Sequence, residues 1–316
     1  MSDLFLEKLK ARAGQVAEPA APPQQQQSSP AAPAPAVNPR VLAFWQSDIA
    51  NAHIRRLISG DESVSTASHF AELLDDFHRG SAAVSLRGGD PALEVELLRS
   101  DACRTIAIVD GAAERLEYGR ARVPEELRQR VVFAQANLST YEPDEPLGLV
   151  VAKSALHRCE DPDAIVSRLT GWLAPGGMVY LDEFVGPDRF QWSDAQIEIV
   201  NRLLACLPEE LRRDLTSKDG EAKSAIGRPD EGRFRRDNPS EAVAGSRIRQ
   251  ALDSHLEPVE VRPYGGAVFH QLFARIMGNF AGRPEIVRLI LELDAILTDR
   301  GVLESDYLWA AYRKPS

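Results

Sequence analysis

Two short stretches of this 316-residue chain carry residue types suited to ligand chemistry. In residues 82–98, AAVSLRGGDPALEVELL, an apolar run stops at Gly88-Gly89-Asp90-Pro91, and apolar residues return at Leu93, Leu97 and Leu98. That pattern is a buried strand turning sharply into a helix. Glycine lets the backbone approach a ligand closely, and the first amides of the helix are unpaired donors at the positive end of its dipole. Such a turn suits a nucleotide-like molecule; an ordinary strand-to-helix connection is the alternative. The second stretch, RTIAIVD, ends on Asp110. About twenty residues past a glycine turn, a carboxylate at a strand end can accept both hydroxyls of a ribose. Its other use is to cap the helix expected over residues 112–120.

These residues need a scaffold, and the chain supplies an alternating pattern. Strands are expected over residues 82–86, 104–110, 131–134, 147–152 and 177–184, the fourth apolar throughout, as a strand covered on both faces should be. Helices separate them. Asp161-Pro162 supplies a cap and a first-turn proline for a helix reaching about residue 173, which Ala174-Pro175-Gly176-Gly177 stops. Five alternations predict a parallel, doubly wound α/β sheet. A sixth strand is expected over 257–262 and a seventh over 307–313. Helices are expected over 41–58, 65–77, 193–207, 240–255, 267–279 and 284–298. Residues 214–239 lack periodicity and read as a mobile loop, and 267–300 as a helical cap insertion.

Ahead of this domain, which spans residues 40–316, the N-terminus divides in two. Residues 1–17 suit a short helix or docking segment for a protein partner, and residues 18–39, rich in Pro, Ala and Gln, suit a disordered linker. A net charge of −10 argues against nucleic acid, and no apolar run reaches the length of a membrane span. Three scattered cysteines fit a reducing cytoplasm and small buried roles, and no metal-ligand spacing is visible.

Together these residues resemble the class I S-adenosylmethionine-dependent methyltransferases, Rossmann-like enzymes with seven strands, the last antiparallel. The resemblance runs from about residue 41 to 314. It rests on the loop VSLRGGDPALEVEL, Asp110, Ala136-Asn137-Leu138, VVAKSALHRCEDP, the LAPGG turn and DEFVGPDRFQWSD. The last, with NPSEAV and RPYGG, resembles a bacterial subgroup acting on small molecules or sugars. The glycine loop is degenerate: Arg87, Gly89 and Pro91 stand where the family has GxGxG.

The resemblance implies that S-adenosyl-L-methionine is the cofactor and that a methyl group passes by in-line displacement to a small-molecule or sugar-type acceptor. Gly88, Gly89 and Asp90 would flank the methionine part, Asp110 the ribose, Asn137 and Leu138 the adenine, and Lys153 the transferred methyl. His157, with an ordinary pKa of about 6.5, is the candidate general base, and Glu183 the candidate acceptor contact. Packing beneath the loop is the other reading of His157. A catalytically silent subunit that binds another protein is the competing function; a nicotinamide-dependent oxidoreductase lacks its GxGxxG.

Overall fold

The computed structural model describes residues 43–315. The expected docking segment and linker therefore lie outside the described residues. In chain order the elements are α1 (Asp48–Ser59), α2 (Thr66–Glu72), α3 (Asp76–Gly80), β1 (Ala82–Leu86), α4 (Ala92–Arg99), β2 (Thr105–Asp110), α5 (Ala113–Arg120), β3 (Val131–Gln135), β4 (Leu147–Lys153), α6 (Pro162–Trp172), β5 (Leu173–Phe184), α7 (Asp194–Cys206), α8 (Glu209–Arg212), α9 (Glu231–Asp237), α10 (Ile248–His255), β6 (Glu257–Gly265), α11 (Phe269–Phe273), α12 (Pro284–Asp299) and β7 (Tyr307–Arg313).

All seven strands join one sheet in the order β3-β2-β1-β4-β5-β7-β6. Strands β1 to β5 pair in parallel, and β7 runs antiparallel to both β5 and β6. The order reverses between β1 and β4, where a doubly wound sheet opens a crevice at its C-terminal edge. Alternate residues face opposite sides, so Val84, Val109, Val150 and Ala152 pack under α6 and α10, while Ile106, Ile108, Leu149 and Val151 pack under α2 and α4. Leu97 and Leu98 of α4 are fully buried, each contributing about 1.5–3 kcal/mol relative to exposure. A third cluster, built from Phe44, α7, α11 and α12, forms the cap.

Several expected boundaries move for local reasons. The helix expected over 65–77 splits because Asp75 accepts the amides of Phe77 (3.1 Å) and His78 (3.3 Å) and starts α3 afresh. Residues 214–239 carry α9, capped by Asp230, and an antiparallel bridge joins Arg213 to Ala222. The helix expected over 240–255 begins only at Ile248, and that over 267–279 shortens to α11. The LAPGG turn belongs to β5: pairing with β4 jumps from Leu147/Leu173 to Leu149/Met178, which leaves the turn as a bulge. Of the cysteines, Cys103 is buried, Cys159 half-buried and Cys206 exposed, so the last departs from the expected buried role.

Candidate functional site

A cavity of about 1300 Å³ opens at the C-terminal edge of the sheet. Arg87 after β1, Asp110 and Gly111 at the end of β2, residues 135–139 from the end of β3, and Ala155, Arg158, Cys159, Glu160 and Asp161 after β4 line it. Helices α5 and α6 and Ser240 complete the wall. Of the residues expected at a cofactor, Asp110, Asn137 and Leu138 line the cavity. Gly88, Gly89, Asp90 and Lys153 lie outside its lining, as do His157 and Glu183.

The glycine turn folds against its neighbour helix. A Cβ on Gly88 would come within 3.1 Å of the Leu116 side chain, and one on Gly119 within 2.7 Å of the Gly89 carbonyl. The two glycines at this contact allow α5 to lie directly on the loop. Beside Gly89 itself there is open space. Arg87, the residue before the pair, has φ +93°, a conformation costly for a side chain with a Cβ.

Asp110 is buried and its hydrogen-bonding capacity is filled. Oδ1 accepts the Ala112 amide (2.7 Å) and Arg115 Nη2 (2.6 Å), and Oδ2 accepts the Gly88 amide (2.7 Å) and Arg115 Nε (2.8 Å). Burial opposes its charge, but the Arg115 fork and the two amides outweigh that and hold the carboxyl below its ordinary range. The same oxygens thus hold the turn ahead of α5, through the Ala112 amide, and an ion pair. Asn137 uses its side-chain oxygen in a turn, accepting from the amide and hydroxyl of Ser139, both at 2.9 Å.

His157 and Glu183 contact each other outside the cavity lining. Glu183 is fully buried and accepts the backbone amides of Ala155 and Leu156, while its second oxygen meets His157 Nδ1 at 2.7 Å. The other ring nitrogen of His157 faces Glu241 at 3.5 Å, and Glu241 in turn pairs with Arg158 at 2.6 Å. Burial disfavours the charged imidazole, yet hydrogen bonds to Glu183 and Glu241 prevail and raise its pKa. His157 is thus buried with both ring nitrogens facing carboxylates. Together with Glu183 it shapes the loop after β4 and ties it to residues 241–243, where the Val243 amide donates to the His157 carbonyl at 2.7 Å. Packing beneath the loop is the reading the contacts support.

Lys153 is half exposed and pairs with Asp182 of the neighbouring strand at 3.4 Å. The other Asp182 oxygen accepts the Tyr264 hydroxyl at 2.7 Å. Tyr264 stacks on Tyr307, and His270 is enclosed by Phe44, Phe184, Phe190 and Tyr307. Arg233 and Arg235 lie on exposed α9, paired one turn apart with Asp237 and Glu231.

Of the cavity arginines, sequence reasoning singled out Arg87 alone, as a departure in the glycine loop. Five line the cavity: Arg87, Arg115, Arg120, Arg158 and Arg168. A signal existed for two of them, since Arg115 falls in the first turn of the helix that Asp110 precedes and Arg158 follows the histidine of the β4 loop. Among the described residues no group of His, Cys, Asp and Glu could hold a metal ion.

The strand order, the antiparallel β7 and the cavity at the switch point define a Rossmann-like, doubly wound α/β fold. Residues 88–181 match the family model described as "Methyltransferase domain". Among solved structures the chain is similar to the N-methyltransferase NodS from Bradyrhizobium japonicum WM9 in complex with S-adenosyl-L-homocysteine, at 14% identity and a TM-score of 0.40, covering 75% of this chain and 80% of that one. It is also similar to an S-adenosylmethionine-dependent methyltransferase from Mesorhizobium loti, at 16% identity and a TM-score of 0.44, covering 79% and 98%. A third is the geranyl diphosphate C-methyltransferase from Streptomyces coelicolor A3(2), at 14% identity and a TM-score of 0.44, covering 82% and 80%. At this distance the likeness says nothing of what this chain acts on.

Proposed function

We propose that the chain is an S-adenosyl-L-methionine-dependent methyltransferase with a small-molecule acceptor. The observation that carries this reading is the cavity at the switch point of the sheet with the β2 acid, Asp110, in its lining. Its volume of about 1300 Å³ exceeds the roughly 300–1,000 Å³ of ordinary single-ligand pockets, which leaves room for a cofactor and part of an acceptor.

The lining suits the cofactor's nucleoside. Val109, Phe133, Leu138 and Ile165 offer apolar walls beside the Asp110 carboxylate, and the Gly88 and Ala112 amides keep that carboxylate charged and aimed. Arg115 is the group that must yield, because its fork occupies the positions a diol would use. Half exposed on the first turn of α5, it is free to swing toward solvent. In this reading Asp110, Asn137 and Leu138 hold the nucleoside, Gly88, Gly89 and Asp90 border the methionine end beside the open space at Gly89, and Lys153 borders the reacting side.

When bound, the cofactor supplies a methyl group on positively charged sulfur, already activated toward attack. The chain's own task is then to hold the acceptor close, orient it and exclude water. His157 and Glu183 serve that task by fixing the β4 loop, whose residues Ala155 and Arg158 form cavity wall.

Calorimetric titration of the full chain with S-adenosylmethionine and S-adenosylhomocysteine tests the reading. Binding of both is expected, strongly weakened by Asp110→Ala and strengthened by Arg115→Ala. A folded sample that binds neither at millimolar ligand overturns it.

A further inference from the structure

The charges around the cavity do not balance at one place. Four of its five arginines have an acid within ion-pair distance: Arg115 with Asp110 (2.6 Å), Arg120 with Glu117 (3.4 Å), Arg158 with Glu241 (2.6 Å) and Arg168 with Glu142 (2.7 Å). Arg87 has none among the described residues. It is half-buried, and its one described side-chain hydrogen bond runs from Nη1 to the Ser154 carbonyl at 3.0 Å. That bond holds the guanidinium across the gap between the ends of β1 and β4 and leaves most of its five N–H donors without a described protein partner. Burial weighs most against its charge, followed by the Arg158 and Arg115 cations, ahead of the opposing Asp110 and Glu241 carboxylates. A half-buried cation placed among cations is unfavourable unless something neutralises it.

Its backbone adds an independent cost. Arg87 holds φ +93°, although the residue beside it is a glycine that would bear that conformation freely. Strain of this kind persists where the surroundings over-determine it, and ligand clamps are one such place.

We infer that Arg87 is an anion hook, a subsite at the mouth of the glycine loop that takes a carboxylate or phosphate group on the molecule bound in the cavity. Its planar fork suits either group through paired N–H donors. The subsite goes beyond methyl transfer and does not depend on it: the carboxylate of a methionine-like tail and the phosphate of a nucleotide are the two sources.

The test is calorimetry on the full chain with two matched pairs of probes. S-adenosylhomocysteine and 5′-methylthioadenosine share nucleoside and thioether but differ in the amino-acid tail; AMP and adenosine differ in the phosphate. The expected result is that the member bearing the carboxylate or phosphate, in at least one pair, binds about ten-fold or more tightly than its partner. Arg87→Gln and Arg87→Gly should both erase that ratio while leaving the neutral member's affinity in place. Because glycine tolerates the observed φ, the second variant keeps its fold, which thermal unfolding verifies. Preference confined to S-adenosylhomocysteine identifies a carboxylate and agrees with the cofactor reading. Preference for AMP with no binding of S-adenosylhomocysteine supports the subsite and overturns methyl transfer. Binding of S-adenosylhomocysteine with a ratio that survives both variants overturns the subsite and leaves methyl transfer standing. If none of the four probes binds, both readings fall.

Discussion

At the scale of single residues, Arg87 and His157 show how neighbours set what a side chain does. Relaxing a left-handed backbone at a non-glycine residue recovers about 1–2 kcal/mol, and the added freedom of glycine in the unfolded chain takes back about 0.5–1 kcal/mol. Arg87→Gly should therefore leave stability unchanged or raise it by up to about 1 kcal/mol, read from the urea midpoint; a clear loss would show that the guanidinium is part of the fold's support. His157 sits between Glu183 and Glu241 with its pKa raised. Its folded-state value lies above the ordinary 6.5, so its stabilisation is fully present below that pH and disappears as pH rises through the raised value. Removing one partner from a buried charged network costs about 3–5 kcal/mol. His157→Phe should cost about that much at pH 6 and less at pH 9, measured by denaturant unfolding at both; an equal loss would mean the histidine is buried neutral.

At the scale of elements, the contact between the glycine turn and α5 is the one on which the cavity depends. A Cβ at Gly119 would lie 2.7 Å from the Gly89 carbonyl, closer than real side chains approach a backbone oxygen. Gly119→Val should push α5 off the loop and destabilise by about 1–3 kcal/mol, the range for overpacking a close contact. It should also weaken cofactor binding beyond that loss, because α5 carries Arg115 and follows the turn that Asp110 holds through the Ala112 amide. A variant unfolding at the wild-type urea concentration would show that the loop and helix part without cost. In the cap, Asp294 of α12 plays a comparable organising part, accepting the amides of Gly266 (2.9 Å) and Phe269 (3.3 Å) as well as that of Val268 at the start of α11.

At the scale of the whole molecule, buried ionisable groups set the pH of greatest stability. Burial pushes Asp306 up to about 7 and Asp294 up to about 6, from 3.8 in an open chain. Between those limits the native state holds protons that the unfolded chain releases, so both contributions are complete below pH 3.8 and fade as pH rises through 6 and 7. His157 acts in the same direction. Asp110, Asp214, Glu241 and Glu260 act oppositely: burial opposes their charge, but hydrogen bonds and nearby cations hold them low. Their stabilisation is present above the ordinary carboxylate range and lost as pH falls through the depressed values. Burial pushes His270 down to about 4 and lowers His53, so both are held neutral and gain stability as pH rises through 6.5, against Asp306, Asp294 and His157, which lose it. Asp306→Asn should therefore raise the thermal midpoint at about pH 8 relative to that at about pH 5.5; an unchanged difference between the two would contradict the protonated state of this buried acid. Among the described residues no helix is long and apolar enough to cross a membrane.

Sequence by itself determined the seven strands, their alternation with helices and the position of the glycine turn, because a fully buried strand must be apolar along its length and a sharp turn must carry glycine or proline. Asp110 was legible for the same reason, as an acid at the end of such a strand. Only the tertiary structure decided that Arg115, five residues on, occupies that acid from both sides, and that His157 is closed between glutamates 26 residues and 84 residues away in the chain. It alone decided that Arg87, among the described residues, is the cavity arginine without an acid partner. Apolar periodicity is a local property that each segment carries in its own residues. Charge pairing is settled across the sheet edge, between loops that no spacing in the sequence brings together. In the strand-loop-helix around Gly88, the turn is therefore written in the sequence, while its partners are set by what folds against it.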